Sequence, residues 1–425
     1  MALQTLIVNI KIFLLKLLVF NLCLLFIIDI TLKLRRTEIQ DLEQNRRDQQ
    51  QRFDIKVSDE SFAVNRAESL LSTNLSSSNR KHFIFIGYRN FWPFYPPFEC
   101  SCQDHSIFVE ALEFDDDFQN TTIADCLIFV LSYRGRITKA GWQKLRENRG
   151  PRQKWIFASR ESALTTHEHL SPPKKFRANT YHLSFTYHST ADFYVPYGNY
   201  VPRIDSVLDF NNTISRIRAK KTNLISWMSS SCGVSIKKWR RVEFAKLLSE
   251  AMPLHRYGTC GNMTCDKHSR TCKEKLLTYK FSLILENSCC SEYITEKFWN
   301  SFLFEQVPVV FGATMKDYLK ISPPYSFIHM ENFSNVDDLV EYLYKLDNDD
   351  SLYEKYHEWR QFGEISVAKL PRDFVSSCHS LCRIRNKLES LEETNDTSFH
   401  FDPYGASWYG SCRNCDRIAQ KLLHN

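Results

Sequence analysis

The chain has 425 residues, 43% of them hydrophobic and 14% aromatic, which is more than one hydrophobic core usually takes up, so two domains with appendages are expected. Its 55 Lys and Arg against 49 Asp and Glu leave a formal net charge of +6 with no long basic block. That excludes a nucleic-acid footprint and leaves a nucleotide or glycan partner open.

In chain order, "LIVNIKIFLLKLLVFNLCLLFIIDITLKLRR" (6–36) is long enough to cross a bilayer, which takes about 20 mostly apolar residues. Lys11, Lys16 and Asp29 interrupt it, and the lysines can snorkel toward the headgroups. No small-x-small cleavage site follows, so a retained anchor at 11–33, behind a short end at 1–10, is preferred to a cleaved signal peptide. Lys33, Arg35 and Arg36 balance the basic residues before the span, so charge does not orient it. Residues 34–80 are polar and poor in aromatics and read as a stem.

Strand-like runs then begin: "HFIFIGY", "SIFVEAL", "ADCLIFVLS" and "KWIFASRES", with the helix-capable "ITKAGWQKLRENRGPRQ" between the last two. They define a first domain at 81–218. A second, at 219–365, runs through "NLISWMSSSC", the helical "IKKWRRVEFAKLLSEAM", "LHRYG", "YKFSLILEN", "TEKFWNSFLFEQ" and "VPVVFG" to two helices in "VDDLVEYLYKLDNDDSLYEKYHEWRQF". Apolar strands alternating with helices predict parallel sheets covered on both faces, hence two consecutive Rossmann-like α/β domains facing a cleft. A cysteine-rich segment, 366–425, closes the chain.

Of 14 cysteines, one, Cys23, lies in the apolar start and the rest follow it, several clustered as in "FECSC", "TCGNMTC", "CHSLC" and "CRNC". Cys378, Cys382, Cys412 and Cys415 have the makings of a four-thiolate zinc site. Asn-x-Ser/Thr triplets at Asn74, Asn120, Asn211, Asn262, Asn332 and Asn395 favour instead an oxidising lumen and disulfides. The odd count then leaves one thiol free or paired between chains. The acidic run "FDDDF" at Asp115 to Asp117 reads as a solvated loop rather than a metal site.

The segment "FSLILENSCCSEYITEKFWNSFLFEQVPVVFG" (281–312) sets polar residues between two buried strands. "TEKFWNSFLF" has helical spacing that points Phe298, Phe302 and Leu303 at the core, with Thr295 as N-cap. Parallel sheets bind ligands beyond the carboxyl ends of their strands, at helix N-termini. Tyr293, Glu296 and Lys297 would therefore face the same place as Glu286 and Asn287. Spacing alone leaves a plain capping cluster, with Lys297 neutralising Glu286, as good a reading. G-x-G-x-x-G and Walker loops are absent, so those nucleotide fingerprints do not apply.

The same segment, followed by "PPYSFIHMENF", resembles the signature of the α1,3-fucosyltransferase family, and the likeness extends upstream through "PRQKWIFASRES", "ADFYVPYG", "ISWMSSSC" with its following "WRR", and "RYGTCGN". The resemblance implies an inverting glycosyltransferase of two Rossmann-like domains (GT-B type), a single-pass type II Golgi membrane protein with its catalytic part luminal. It implies GDP-fucose as donor and O3 of N-acetylglucosamine on a glycoprotein or glycolipid glycan as acceptor. By motif position it implies that Asn287, Tyr293, Glu296 and Lys297 hold GDP, Glu296 at the ribose or base and Lys297 at the diphosphate. Arg241 takes the phosphate-binding arginine's place, with Arg240 the adjacent alternative.

The reaction needs one base, and Glu161 in "WIFASRES" is the candidate. GDP leaves as a stable anion, so cations rather than an acid must meet its charge, and no obligatory metal is expected, manganese stimulation being left open. The chain departs from the family on the acceptor side. "ESA" replaces Glu-Ser-Pro, with Ala163 at the proline position; His188 stands where an arginine is common; and "ADCLIFVLSYRG" lacks a histidine pair that often follows that strand. These departures leave open transfer to protein Ser/Thr, an α1,4 linkage, or a luminal GDP-sugar- or glycan-binding protein without turnover. Homo-oligomerisation through anchor and stem also stays open.

Overall fold

In a computed structural model of the chain, the residues described are 80–87, 97–103, 105–114, 117–130, 136–169, 171–177, 180–203, 209–230, 232, 239–266, 269–367 and 377–424. The expected anchor and all but the last residue of the expected stem lie outside them, as do Asp115, Asp116 and Asn74. Among the described residues no helix is long and apolar enough to cross a membrane.

The first sheet contains β1 (Arg80–Ile86), β2 (Phe98–Cys102), β3 (His105–Leu112), β4 (Cys126–Val130), β5 (Lys154–Ser159), β6 (Leu183–Thr186) and β7 (Phe193–Tyr194), in the order β2-β3-β1-β4-β5-β6-β7. Only the edge strand β2 is antiparallel to its neighbour. The two-residue period of a strand sends Phe83 and Phe85 to one face and Ile84 and Ile86 to the other, and all four are buried. That two-sided burial is why these strands read as unbroken apolar runs. On the Ile84 face lies α1 (Lys139–Glu147), started by Thr138, whose Oγ1 accepts the Gly141 N–H at 3.0 Å. It buries Trp142, stacked on Phe129 at 5.5 Å.

After α2 (Ala163–His169), β8 (Gly198–Pro202) and α3 (Phe210–Ala219), the second sheet begins. Its strands are β9 (Asn223–Met228), β10 (Leu254–Tyr257), β11 (Tyr279–Leu285), β12 (Val307–Phe311) and β13 (Ile328–His329), all parallel, in the order β10-β9-β11-β12-β13. The helices between and after them are α4 (Arg241–Ala251), α5 (Arg270–Leu277), α6 (Glu296–Leu303), α7 (Met315–Ile321), α8 (Val336–Asn348) and α9 (Asp350–Glu354). A last strand, β14 (Gly363–Val367), pairs antiparallel with β8, so the two segments passing between the sheets run side by side. Gly198 in this ribbon lies flat on the Trp299 ring, where a Cβ would collide.

Helix α6 departs from its expected register. Phe298 and Phe302 are buried, but Leu303 is 54% exposed and Trp299 takes its place in the core. Five residues on from Phe298 lies about 140° around the helix, away from the buried stripe.

The C-terminal segment completes both halves. Helix α10 (Cys378–Glu393) is tied to β2 by Cys100–Cys378 and Cys102–Cys382, and its Leu381, Ile384, Leu388 and Leu391 cover the Phe83 face. Helix α11 (Cys415–His424) and the residues before it are tied to the loop after β11 by Cys289–Cys415 and Cys290–Cys412. Cys232–Cys260 and Cys265–Cys272 staple the second half. All four thiols of the alternative zinc set are thus in disulfides, each with a partner elsewhere in the chain. The leftover Cys126 is buried inside β4, where burial, with Asp125 beside it, pushes its thiol pKa up; it is placed for neither exchange nor an intermolecular bridge.

Both sheets belong to one compact unit, residues 74–425, and share a core. Trp155 and Phe157 from the first sheet pack in the same cluster as Ile284, Phe298, Trp299 and Val310 from the second.

Candidate active site

The site grows from the end of β11. Its strand ladder ends at Leu285, and the next residue, Glu286, is wholly buried. Its carboxylate is met from α6: Oε1 accepts the Thr295 N–H and hydroxyl, both at 2.8 Å, and Lys297 Nζ lies 3.3 Å from Oε2. Glu286, nine residues upstream, therefore caps α6; Thr295 occupies the N-cap position, but its hydroxyl donates to Glu286 and makes no cap bond of its own. Gly312, at the end of β12 with φ 154°, makes room for this, since a Cβ there would sit 2.9 Å from the Glu286 Cβ.

A buried carboxylate needs compensation. Besides Lys297, Glu286 faces Arg241, the buried first residue of α4, whose Nη1 donates to the Leu285 carbonyl at 3.2 Å. Trp239 Nε1 donates to the Glu286 carbonyl at 2.8 Å, so "WRR" pins the strand end from two sides. Burial pulls the Arg241 guanidinium below its ordinary value, with Glu286 opposing. Arg240 points the other way, exposed and paired with Glu243 and Asp416. Of the two candidate arginines, Arg241 is the one at the strand end.

The Lys297 side chain is 31% exposed, and besides Glu286 it touches Glu296 at 3.5 Å and Thr295 Oγ1 at 2.8 Å. Burial works against its charge, but Glu286 and Glu296 outweigh it and hold the ammonium above the ordinary lysine value. Asn287 is half-buried, its Oδ1 accepting the Ser288 hydroxyl at 2.9 Å.

Glu161 follows β5 of the first sheet, its N–H donating to Ser159 Oγ at 3.0 Å. Tyr293, 2% exposed, reaches across from the second sheet and donates its hydroxyl to Glu161 Oε2 at 3.2 Å. Next to it, Ser162 and Ser288 hydroxyls meet at 2.8 Å, a second link between the sheets. Glu161 also contributes to the field at Lys297 and Arg241. Arg241, Tyr293, Glu296 and Lys297, expected around a donor, and Glu161, expected as base, therefore lie in a single electrostatic cluster, and Asn287 is joined to it through the hydroxyls of Ser288 and Ser162.

Sequence reasoning missed the residues that frame this cluster. Arg160 is buried with its guanidinium 4.0 Å over the Tyr197 ring, and Tyr197 donates its hydroxyl to the Arg160 carbonyl. Burial lowers the Arg160 pKa, with Tyr197 and Glu296 opposing. Tyr187 packs against Tyr293 at 5.2 Å and against Trp408 at 5.1 Å. His188 is half-buried, its Nδ1 paired with Thr190 Oγ1 at 2.9 Å, and burial lowers its pKa. Of the acidic run, Asp117 is a surface partner of Lys144 at 2.9 Å. Among the described residues no group of three or more His, Cys, Asp or Glu is arranged to hold a metal ion.

Residues 79–198 match the family model described as fucosyltransferase, N-terminal, and residues 218–401 that described as glycosyltransferase family 10 (fucosyltransferase) C-term. Alpha-(1,3)-fucosyltransferase C of Drosophila melanogaster is 26% identical over 339 residues, 76% of this chain and 72% of the relative. The 4-galactosyl-N-acetylglucosaminide 3-alpha-L-fucosyltransferase 9 of Mus musculus is 32% identical over 235 residues, 55% of this chain and 60% of the relative. A solved alpha1,3-fucosyltransferase with GDP-fucose aligns at a TM-score of 0.43 and 16% identity, over 78% of this chain and 96% of that one.

Proposed function

The chain belongs to glycosyltransferase family 10, the fucosyltransferases, and from that premise we propose that it moves L-fucose from GDP-fucose to a glycan hydroxyl, O3 of N-acetylglucosamine, in an inverting reaction. The observation that carries the proposal is the Tyr293–Glu161 contact. It joins a carboxylate at the end of a first-sheet strand to the loop that also bears Glu286, Glu296 and Lys297.

In this reading Glu161 Oε accepts the proton of the attacking hydroxyl as that oxygen bonds to the fucosyl C1 and the bond from C1 to the diphosphate oxygen breaks. The electron pair leaves with GDP, whose new charge is met by Lys297 and Arg241 without a general acid. Inversion requires attack opposite the leaving group, so the base and the cations have to flank the sugar from two sides. Glu161 comes from the first sheet and the two cations from the second. Asn287, Tyr293 and Glu296 complete the GDP contacts, with Glu296 at the ribose or base.

Lys297 is bonded to Glu286 and Thr295. Both halves of the sequence's alternative are then compatible: the lysine neutralises a buried acid and turns its remaining donor capacity to the diphosphate. The disulfides and the exposed sequons at Asn120, Asn211, Asn262, Asn332 and Asn395 support placement in the Golgi lumen behind the expected single-pass anchor.

The test is linkage analysis by NMR of product made from GDP-fucose and a panel of glycan acceptors. An α-fucosyl residue on O3 of N-acetylglucosamine is expected. Fucose found only on Ser/Thr or on O4 would replace the acceptor assignment.

A further inference from the structure

Outside the residues that would touch donor or acceptor, one contact set joins the two sheets through charge. The β6–β7 loop of the first sheet carries Ser189, and its N–H donates to Glu292 Oε2 at 2.6 Å while its hydroxyl donates to Oε1 at 2.8 Å. Lys320, at the end of α7, donates to the same Oε1 at 2.7 Å and to Ser189 Oγ at 2.6 Å. Glu292 is thus held by a backbone amide, a hydroxyl and an ammonium. Its own backbone is left-handed, φ 56°, a conformation costly for a residue with a Cβ and kept only where the surroundings over-determine it.

The neighbours explain why such a contact is worth that cost. Tyr293, the next residue, donates to Glu161 at 3.2 Å, and its ring packs on Tyr187 at 5.2 Å. Residues 292 and 293 therefore engage residues 189 and 187, a carboxylate on one and a ring on the other. If the Ser189 contact is released, the Tyr187 contact loses its anchor two residues away, and with it the lateral support of the Tyr293 hydroxyl.

We propose that Glu292 is a positioning residue: with Ser189 and Lys320 it clamps the β6–β7 loop to the second sheet and so fixes Tyr293, and through it Glu161, for transfer. The clamp also fixes the loop that carries His188, the acceptor-side position at which the chain departs from the family pattern. This rests on the proposed role of Glu161.

The test uses the full chain and the variants Glu292→Gln, Ser189→Ala and their combination. Glu292→Gln should lower kcat for fucosyl transfer by about tenfold or more, raise the Kd for GDP by a smaller factor because Lys297 and Arg241 still meet the diphosphate, and speed hydrogen exchange in 187–194 while the sheet cores are unchanged. Ser189→Ala should do the same more weakly, and the double variant should be no worse than Glu292→Gln, because the two residues act through one contact. An unchanged kcat and unchanged exchange at 187–194 would overturn the clamp, as would a loss of protection spread over both sheets, which marks a merely structural role. Exchange in the loop judges the clamp even if the wild-type chain turns over no GDP-fucose; that outcome would count against the reading of Glu161 instead.

Discussion

Lys297 serves two masters, and substitution should separate them. Hydrogen bonds to charged groups contribute roughly 1.5–3 kcal/mol, so Lys297→Met should raise the Kd for GDP by about tenfold to a hundredfold. It also strips a partner from the buried Glu286, so the melting temperature should fall. Adding Glu286→Gln removes the charge that needed the lysine while keeping an acceptor for the Thr295 N–H. The double variant should regain thermal stability and not GDP affinity, as titration calorimetry and thermal melts would show. Recovery of both would reduce Lys297 to a cap. At this scale the sequence was legible where a motif names residues close together: Glu286, Asn287, Tyr293, Glu296 and Lys297 lie within twelve positions and fold into one place. It was silent on Arg160 and Tyr197, because their stacking joins residues 37 apart through a turn no local pattern announces.

Among the elements, the strands that sequence periodicity found are the apolar runs β1, β3, β4, β5, β9, β11 and β12, together with the four-residue β10. Those it missed are short, such as β7 (Phe193–Tyr194) and β13 (Ile328–His329), or lie in polar surroundings, such as β8 and β14, which exist because they pair with each other. Edge strand β2 was legible only as a cysteine cluster, and α10 only as part of a cysteine-rich tail, since nothing local says the tail returns to the first sheet. That return makes a prediction. Cys100–Cys378 and Cys102–Cys382 close loops with sequence separations of 278 and 280, so each does nearly the same work on the unfolded chain. Replacing either pair by serine should cost little in urea midpoint. Replacing both should cost about 2–5 kcal/mol and bare the apolar face of α10, with dye binding to match. Equal, additive losses would mean each bridge braces the native state separately.

For the molecule as a whole, three buried histidines set an acid limit. Burial, with Arg149 adjacent, lowers the His182 pKa to about 3; burial also lowers His357, beside Arg360, and His329. In the unfolded chain each returns to about 6.5, so below that pH the unfolded state binds more protons and stability falls as pH falls. The melting temperature should therefore drop between pH 7 and pH 5, and a flat profile would mean these rings find water or partners as protons arrive. Glu292 acts in a lower window. Lys320, His188 and Ser189 outweigh burial to hold its carboxyl below the ordinary value, so its contribution is present above about pH 4.5 and is lost as pH falls through the folded value.

The shared core and the cross-sheet contacts at Glu161, Ser162 and Ser189 make the two sheets one catalytic body in the proposed scheme, with donor chemistry on one side and the base on the other. The most direct measurement of that scheme is acceptor-dependent release of GDP from GDP-fucose by the wild type and by Glu161→Gln. Turnover by the wild type is expected, with a loss of about a hundredfold or more in the variant and GDP binding retained. Full turnover by Glu161→Gln, or a wild type that binds GDP-fucose yet consumes no acceptor, would contradict it.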